Sequence, residues 1–266
     1  MSNNLKISSV IIAKNEERNI FRCLQSQLEC IDEIIVLIDS LSTDKTLEIV
    51  KLFPGVKHEL IEWQGYSNTK KYGISICSNN WIFWIDADEA LTKELSDEIG
   101  KFKNSEPEYY SYSVPRKAFF LGRWIKHSGW YPARVTRLFD KNFIDLSDDE
   151  VHEHLVLKGK PDKKIKSGSL NGSLEHYTDP DINHYFVKFN RYTTLAAEDL
   201  AAKGKKFRKT DLIFRPIWLF IKMYVIKLGF LDGTEGFILA VFSSAYVFTK
   251  YCKLWERDQD WLGLKE

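Results

Sequence analysis

The sequence predicts an α/β protein in which a mixed sheet carries helices on both faces and a helical extension follows at the C-terminus. Three observations support this prediction. Strand-like and helix-like segments alternate over the first hundred residues, strand-like segments then follow one another directly, and the last third is helical. A boundary is expected near residue 180, which divides the chain into a sheet domain over residues 1–180 and a helical region over residues 181–266.

Composition and charge exclude several classes of protein. Hydrophobic residues make up 44% of the 266 residues and charged residues 28%, which excludes a disordered chain, a collagen-like fibre and a polytopic membrane protein. The 38 Lys and Arg residues balance 37 Asp and Glu residues, so we expect no nucleic-acid partner. Four cysteines without metal-site spacing predict free thiols, and the polar start at Met1–Lys6 predicts no signal peptide and a cytoplasmic location.

The first hundred residues contain four predicted strands, each followed by a predicted helix. Short β-branched or aromatic runs predict strands at residues 7–13, 33–39, 56–63 and 81–86. The helices are expected after Asn15, after residues 42–44, and over residues 66–77 and 92–102. Asn15 and Thr92 are the predicted caps of the first and last of these helices. Because this order favours a parallel sheet, ligands should bind beyond the carboxyl ends of the strands, where Asp39 and Asp86 lie.

The later part of the chain follows a different pattern. Three further strands are predicted at residues 109–114, 119–125 and 134–139, and a charged loop is predicted at residues 145–168. Long helices are predicted at residues 185–202, 212–228 and 234–255. This arrangement predicts an antiparallel extension of the sheet followed by a separate helical region.

An acidic motif, Asp86-Ala87-Asp88-Glu89, directly follows the fourth predicted strand. Two carboxylates separated by one residue can converge on a divalent cation, and Mg²⁺ and Mn²⁺ prefer oxygen ligands that they share with substrate phosphates. The same short pattern also occurs by chance in solvated turns that precede a helix. The position at the end of a central strand favours the cation-binding interpretation.

Four segments of the N-terminal half, taken together, resemble family 2 inverting glycosyltransferases with the GT-A fold. They are Val10–Glu16 (VIIAKNE), Ile38–Thr46 (IDSLSTDKT), Gly65–Lys71 (GYSNTKK) and the Asp86–Asp88 triplet. Within the family the chain most resembles the lipopolysaccharide-core β-glucosyltransferase-like branch, through Trp81–Glu89, Val151–Glu153 and Gly229–Gly233. The resemblance implies a Rossmann-like domain that binds a nucleotide-sugar and a divalent metal, Mn²⁺ or Mg²⁺.

The resemblance also implies the residues of the donor site. Asp39 resembles the carboxylate that binds the nucleobase, and Lys70 the basic residue near the nucleotide, a role for which the adjacent Lys71 is the alternative. Asp88 is expected to bind the metal, with His176 as an additional ligand, and Asp86 is expected to contact the sugar or ribose. The full set of expected nucleotide-sugar contacts is Ala13, Glu16, Asp39, Lys70, Asp86, Ala87 and Asp88.

An inverting transfer requires a base that removes the proton from the attacking hydroxyl. By resemblance this base is Glu153 in the Val-His-Glu segment, and Asp149 and Glu150 are the alternatives in the same charged loop. The catalytic residues expected from the sequence are therefore Glu153 and Asp86.

Aromatic and basic residues between the later strands are expected on the acceptor side. Trp130 and Tyr131 lie in an aromatic loop, and sugar rings pack their C–H faces on such side chains, although a packed turn is the alternative. Arg134 and Arg137 face opposite sides of one predicted strand, so at most one can reach an anionic acceptor. We assign this role to Arg137.

The segment Lys203–Lys227 combines basic residues with large apolar ones. It contains eight basic residues and one acid, Asp211, and this is too much charge for a membrane-spanning helix. A basic amphipathic helix at an anionic membrane surface is favoured, and a core helix with a solvated basic face is the alternative. The uncharged run Phe237–Phe248 is too short to span a membrane and is expected to pack against this segment.

Together these features predict a metal-dependent inverting glycosyltransferase. The resemblance implies transfer of a hexose, with UDP-glucose as the expected donor, to lipopolysaccharide core or a related lipid-linked glycan at the cytoplasmic face of the inner membrane. A nucleotidylyltransferase is the alternative among enzymes, but the turn Lys14–Glu17 lacks the glycine-rich phosphate loop of that class. An inactive membrane-associated binding module is the other alternative, and the intact pair Asp86 and Asp88 argues against it.

Overall fold

The computed structural model describes residues 4–147, 155–160, 165–257 and 259. The chain divides into two compact units. The sheet unit comprises Met1–Lys117 and Ala133–His176, and the helical unit comprises Ala118–Pro132 and Tyr177–Glu266. The division between His176 and Tyr177 lies close to the boundary expected near residue 180, whereas nothing in the sequence pattern indicated that residues 118–132 belong with the C-terminal helices.

The described residues contain twelve strands, ten of which form one mixed sheet. The strands are β1 (Ile7–Ala13), β2 (Glu33–Asp39), β3 (Val56–Ile61), β4 (Trp81–Trp84), β5 (Glu89–Leu91), β6 (Ser111–Phe120), β7 (Arg123–Trp124), β8 (Ala133–Asp140), β9 (Ile144–Leu146), β10 (Leu155–Leu157), β11 (Gly168–Ser169) and β12 (Leu174–Asp179). The main path runs β3-β2-β1-β4-β8-β6-β12-β5. Strands β1 to β4 are parallel, and antiparallel pairing begins between β4 and β8, which confirms the predicted mixed α/β sheet.

Seven α-helices occur in the described part of the chain. They are α1 (Ile20–Gln25), α2 (Thr46–Val50), α3 (Tyr66–Ile76), α4 (Lys93–Phe102), α5 (Ile182–Ala202), α6 (Lys209–Phe220) and α7 (Gly233–Arg257). A π-helical segment, Ile221–Ile226, continues α6, and a 3₁₀ turn, Gly229–Asp232, precedes α7. Thr92 is confirmed as the cap of α4, because its Oγ1 accepts a hydrogen bond from Leu95 N at 3.4 Å.

The core of the sheet unit lies on both faces of the central strands, which explains why β1, β2 and β4 are mostly apolar. Ile11 of β1 packs in the cluster that includes residues of α1 and α4, whereas its neighbour Val10 packs in the cluster on the α3 side. Helix α3 approaches β1 closely through Gly73, where a Cβ atom would lie 2.5 Å from Val10 Cγ1. Because both faces are covered, the carboxyl ends of these strands are the part of the sheet left for a ligand.

Three local predictions are wrong, and one of them is the charged loop at residues 145–168, because β10 lies within it and pairs with β9. Asn15 does not cap the first helix: its φ is +56°, a left-handed conformation that asparagine tolerates, and α1 begins only at Ile20. The expected separate strands at residues 109–114 and 119–125 are instead one long strand, β6, followed by the short β7. The errors at Asn15 and at β6 arise because long-range pairing, rather than local pattern, decides where these elements begin and end.

Helix α7 confirms the helix predicted at residues 234–255 and extends beyond the uncharged run within it. The run Phe237–Phe248 lies within a 25-residue helix, and one helix among the described residues, Gly229–Arg257, could cross a membrane by length and composition alone. The predicted contact with the preceding segment is observed, since Leu239 and Ala240 pack in one buried cluster with Met223. The expectation that this part of the chain is too short to span a membrane is therefore wrong as to length, because the helix extends beyond the uncharged run at both ends.

Candidate active site

Two turns at the carboxyl ends of β1 and β2 are hydrogen-bonded to each other. Thr43 N donates to Asn15 Oδ1 at 2.8 Å, and Glu16 N donates to Thr46 Oγ1 at 2.8 Å. The half-buried Glu16 carboxylate accepts a hydrogen bond from Asn19 Nδ2 at 2.9 Å. Short polar side chains thus accept hydrogen bonds from backbone N–H groups that have no partner within a strand or a helix. These hydrogen bonds hold the two strand ends together.

Asp39, the last residue of β2, is fully buried at this edge of the sheet. Its Oδ1 accepts a hydrogen bond from Leu41 N at 2.8 Å, and its Oδ2 lies 2.7 Å from Lys14 Nζ. The hydrogen bond from Lys14, with that from Leu41 N, holds the pKa of Asp39 below its usual value. Asp39 is therefore an ionised acceptor at the strand end where the nucleobase is expected.

Asp86 follows β4 and is bound by a buried arginine of β8. Arg137, which is 4% exposed, donates through Nη2 to Asp86 Oδ2 at 2.5 Å and to Glu89 Oε1 at 2.7 Å. Arg116 Nη1 lies 3.7 Å from the same Glu89 oxygen. The Asp86 side chain remains 43% exposed, so this ion-pair cluster has one carboxylate at the surface and one enclosed.

Arg137, which the sequence analysis assigned to the acceptor side, is buried in the structure. Its guanidinium forms ion pairs with two carboxylates of its own unit and does not point into solvent. The buried carboxylate of Glu89 needs a cation within hydrogen-bonding distance, and Arg137 supplies it. A direct contact of Arg137 with the acceptor stays a prediction, and its observed contact is with Asp86 on the expected donor side.

The ion-pair cluster shifts the pKa values of its two carboxylates in opposite directions. Burial tends to raise the pKa of Asp86, but the charge of Arg137, and after it that of Lys70, outweighs burial and lowers the pKa to about 2. For Glu89, burial dominates and raises the pKa above its usual value. Asp86 is therefore the ionised carboxylate that faces outward from this cluster.

Lys70 of α3 lines the same narrow cleft as Asp86. Its Nζ lies 4.0 Å from the centroid of the Trp84 ring, a distance at which a cation is attracted to the aromatic face. The structure thus brings Lys70 beside the acidic motif, as expected for a residue near an anionic nucleotide. Contact with the nucleotide itself stays a prediction.

Asp88 and His176 are brought together by the antiparallel pairing of β5 with β12. In that register His176 lies opposite Glu89, and Asp88 Oδ2 is 3.3 Å from His176 Nε2. Two ligand atoms bound to one cation at about 2.1 Å and at right angles lie about 3 Å apart, so this pair fits a shared Mn²⁺. Among the described residues no group of three or more acidic, histidine or cysteine side chains is arranged so that it could hold a metal ion by itself.

Ala13 and Ala87 lie at the strand ends with their side chains buried in the sheet unit's core. Ala13 ends β1 beside β2, and Ala87 lies between the two aspartates of the acidic motif. Any contact with a donor would therefore be made by their backbone atoms, and it stays a prediction.

Trp130 and Tyr131 belong to the helical unit and are packed against other aromatic rings there. The centroid of Trp130 lies 6.4 Å from that of Phe120, and the centroid of Tyr131 lies 5.3 Å from that of Trp124, both in edge-to-face geometry. Both side chains are half-buried. These contacts fit an ordered aromatic loop, and its role toward an acceptor stays a prediction.

The expected base, Glu153, and its alternatives Asp149 and Glu150 lie outside the described residues. The strands on either side are described and pair with each other, Leu146 opposite Leu155. The assignment of the base therefore stays a prediction.

Glu89 and Arg116 are members of the ion-pair cluster that sequence reasoning did not assign. The available signal for Glu89 was its place as the last residue of the acidic motif, directly before the apolar pair Ala90-Leu91, because a carboxylate buried there requires a cation. No local pattern identifies that cation, since Arg137 lies 48 positions away along the chain.

A solved structure shares this fold. A mannosyltransferase of Pyrobaculum calidifontis, determined in complex with GDP-Man and Mn²⁺, superimposes with a TM-score of 0.54 at 12% sequence identity. The match covers 96% of this chain and 88% of that one. The sheet order with its switch from parallel to antiparallel pairing is thus that of the GT-A fold.

Sequence comparison gives the family. An uncharacterised glycosyltransferase of Rickettsia typhi is 34% identical over 258 residues, which cover 94% of this chain and 87% of that protein. A lipopolysaccharide core biosynthesis glycosyltransferase, LpsC, of Rhizobium meliloti is 30% identical over 259 residues, which cover 95% and 93%. The family model of glycosyl transferase family 2 matches residues 8–158, a range that includes Asp39, Asp86 and Asp88. This chain belongs to glycosyl transferase family 2 and is a glycosyltransferase.

Proposed function

We propose that the protein is a metal-dependent inverting glycosyltransferase that transfers a hexose from a nucleotide-sugar to a saccharide. The observation that supports this most strongly is the pair Asp88 and His176, whose ligand atoms are 3.3 Å apart, next to the ionised Asp86. A carboxylate and an imidazole at the carboxyl end of a parallel sheet form a donor set suited to a cation shared with a diphosphate.

Each residue of this site has a proposed role toward the donor. Asp88 and His176 hold Mn²⁺ or Mg²⁺, which when bound offsets the charge that develops on the departing nucleoside diphosphate. Asp39 accepts hydrogen bonds from the nucleobase, and Lys70 places a positive charge beside the nucleotide. Asp86, held by Arg137 in one orientation, accepts a hydrogen bond from a sugar or ribose hydroxyl.

Glu153 is the proposed base of the transfer. In a single in-line displacement, an acceptor oxygen forms its bond to the anomeric carbon while the bond from that carbon to the diphosphate oxygen breaks. The proton of the acceptor hydroxyl passes to the Glu153 carboxylate, and the configuration at the anomeric carbon inverts. The diphosphate leaves as a nucleoside diphosphate.

We further propose UDP-glucose as the donor and lipopolysaccharide core, or a related lipid-linked glycan, as the acceptor. Similarity over nearly the whole chain to LpsC, which carries lipopolysaccharide core biosynthesis in its name, supports the acceptor class. Trp130 and Tyr131 would pack against the sugar rings of that acceptor. Such an acceptor also places the proposed activity at the cytoplasmic face of the inner membrane.

A donor screen with analysis of the product tests this proposal. Purified protein, Mn²⁺ and a core-saccharide acceptor are incubated with UDP-glucose, UDP-galactose or GDP-mannose, and the nucleoside diphosphate and the linkage are measured. UDP release from UDP-glucose and a β-linked product are expected. An α-linked product would contradict the inverting mechanism, and release of pyrophosphate would indicate nucleotidylyl transfer instead.

A further inference from the structure

Large apolar side chains are exposed along one side of α6 and its π-helical continuation. At about 100° per residue, the four that lie between Ile213 and Trp218 occupy about 140° of the helix circumference. Their exposed fractions lie between 39% and 66%. This set, named the α6 face, consists of Ile213, Phe214, Ile217, Trp218, Ile221, Val225 and Ile226.

The opposite side of the same helix is already packed within the helical unit. Pro216 is buried and its carbonyl accepts a hydrogen bond from Ser244 Oγ at 2.6 Å. Met223 is buried in one cluster with Leu239 and Ala240 of α7. A surface helix of a globular protein normally turns polar residues outward, so an apolar outward face of this size indicates an interaction site.

Exposed positive charge borders the α6 face. The exposed basic side chains that precede or flank it are Lys206, Arg208, Lys209, Lys222 and Lys227. The acid of this segment, Asp211, is 13% exposed and lies 3.1 Å from Lys205 Nζ and 2.6 Å from Arg215 Nε. The outward charge of the segment is therefore positive, and an apolar surface with a cationic border is complementary to anionic lipid.

We infer that the α6 face lies in the headgroup layer of an anionic membrane, with its apolar side chains at the acyl boundary and its cations at lipid phosphates. The inference rests on the proposed lipid-linked acceptor and adds the surface by which the protein would reach it. A second copy of the chain is a poorer partner, because a two-fold contact would bring the same basic border against itself.

The geometry of α7 favours a protein that lies on the membrane over one that spans it. Although α7 is long enough to cross a bilayer, its polar side chains bond to neighbouring helices of the unit. Ser244 Oγ donates to Pro216 O at 2.6 Å, and Lys253 Nζ donates to Asn190 O at 2.9 Å. A spanning α7 would have to leave its packing against α5 and α6 and break these contacts, whereas the α6 face is already exposed in the structure.

Flotation with vesicles tests the inference on the full chain. Binding is expected to vesicles of phosphatidylcholine mixed with phosphatidylglycerol, with weaker binding to phosphatidylcholine alone and at high salt. Phe214→Ser combined with Trp218→Ser should weaken binding about tenfold or more. The matched control, Leu52→Ser with Leu60→Ser, removes two exposed leucines of the sheet unit and should leave binding unchanged. If both double variants lost vesicle binding equally, or if neither lost it, the inference would be overturned.

Depth and orientation are tested with lipids brominated on the acyl chain. These lipids should quench protein fluorescence in the wild type and less in Trp218→Phe, which retains an aromatic ring and should still bind.

Alkaline carbonate should release the protein from the vesicles, and resistance to this extraction would indicate a spanning helix instead. The inference would also be overturned if the wild type did not bind vesicles but formed a dimer in solution, and if the Phe214→Ser, Trp218→Ser variant were a monomer. UDP release with a soluble acceptor should persist in that variant, so failure of membrane binding and failure of the proposed activity are distinguished.

Discussion

Arg137 illustrates how one side chain can organise two carboxylates with different tasks. Its Nη2 binds the partly exposed Asp86 and the enclosed Glu89 within 2.7 Å. A planar guanidinium suits this bridging geometry, whereas a lysine ammonium on a flexible stem does not. We therefore interpret Arg137 as a positioning residue that holds Asp86 ionised and in one orientation toward the donor.

Arg137→Met should be strongly destabilising and should impair donor use. It leaves Glu89 buried with Arg116 as its remaining nearby cation, at 3.7 Å, and breaking a buried pair costs about 3–5 kcal/mol in the free energy of unfolding. Arg137→Lys should keep more of the stability but raise the KM for the donor more than it lowers kcat. Chemical denaturation and steady-state kinetics measure these effects.

Arg134 on the same strand provides the matched control. Its Nη2 donates to the carbonyls of Ser113 and Leu170, which are neutral groups, so Arg134→Met should cost about 0.5–1.5 kcal/mol per lost hydrogen bond. If Arg134→Met and Arg137→Met destabilised the protein equally and left the donor KM unchanged, the positioning role of Arg137 would be wrong.

His176→Gln should weaken metal binding because it removes the imidazole nitrogen that lies 3.3 Å from Asp88 Oδ2. We expect the affinity for Mn²⁺ in the presence of UDP to fall about tenfold or more, measured by calorimetry and by the free Mn²⁺ signal in electron paramagnetic resonance. His184→Gln, which changes a histidine of α5, is the control and should bind Mn²⁺ like the wild type. Unchanged affinity in His176→Gln would remove His176 from the proposed metal site.

At the scale of elements, Glu33 joins β2 to its neighbours at the end of the sheet away from the site. Its carboxylate accepts hydrogen bonds from Ser8 Oγ of β1, from Ser78 N and from Lys57 Nζ of β3, at 2.5, 2.7 and 2.7 Å. Burial tends to raise the pKa of Glu33, but the hydrogen bonds from Lys57, Ser8 and Ser78 prevail and lower it from 4.5 to about 2. The carboxylate thus stabilises the fold in its ionised form.

Glu33→Gln should make the protein less stable at neutral pH and less sensitive to acid. A pKa lowered by folding adds stability that is fully present above pH 4.5 and is lost as the pH falls toward about 2. After allowance for screening by solvent, we expect a loss of about 1–2 kcal/mol at pH 7, measured by urea denaturation across the pH range. Glu48→Gln, at an exposed position of α2, should retain the wild-type pH profile, and a flat profile in the wild type would contradict this account.

Local pattern predicted the types of most elements, because apolar periodicity and caps such as Thr92 act within a few residues. It failed where contacts distant in sequence decide the structure. Asn15 enters a turn because Thr43 N bonds to its side chain, and no residue near Asn15 indicates this. The pairing of β12 with β5, which brings His176 to Asp88, is likewise set by the sheet. The two residues were expected to share a metal only through resemblance to a family.

At the scale of the whole chain, the nearly balanced charge is a sum of different local surfaces. Ionised Asp39 and Asp86 lie at the strand ends of the sheet unit, and a basic border surrounds the α6 face of the helical unit. The uneven distribution of charge could be read from the sequence, but the assignment of residues 118–132 to the helical unit could not. That assignment depends on contacts such as the hydrogen bond from His127 N to Asp232 Oδ2 at 2.9 Å, across 105 positions.

The central claim is that Asp88, with a bound cation, enables transfer from a nucleotide-sugar. The most direct measurement is the rate of UDP release from UDP-glucose, with acceptor, after treatment with EDTA and during titration with Mn²⁺. The account predicts that EDTA abolishes release by the wild type, that Mn²⁺ restores it, and that Asp88→Ala stays at least about a hundredfold slower at saturating Mn²⁺. A rate that survives EDTA, or an Asp88→Ala variant as fast as the wild type, would contradict it.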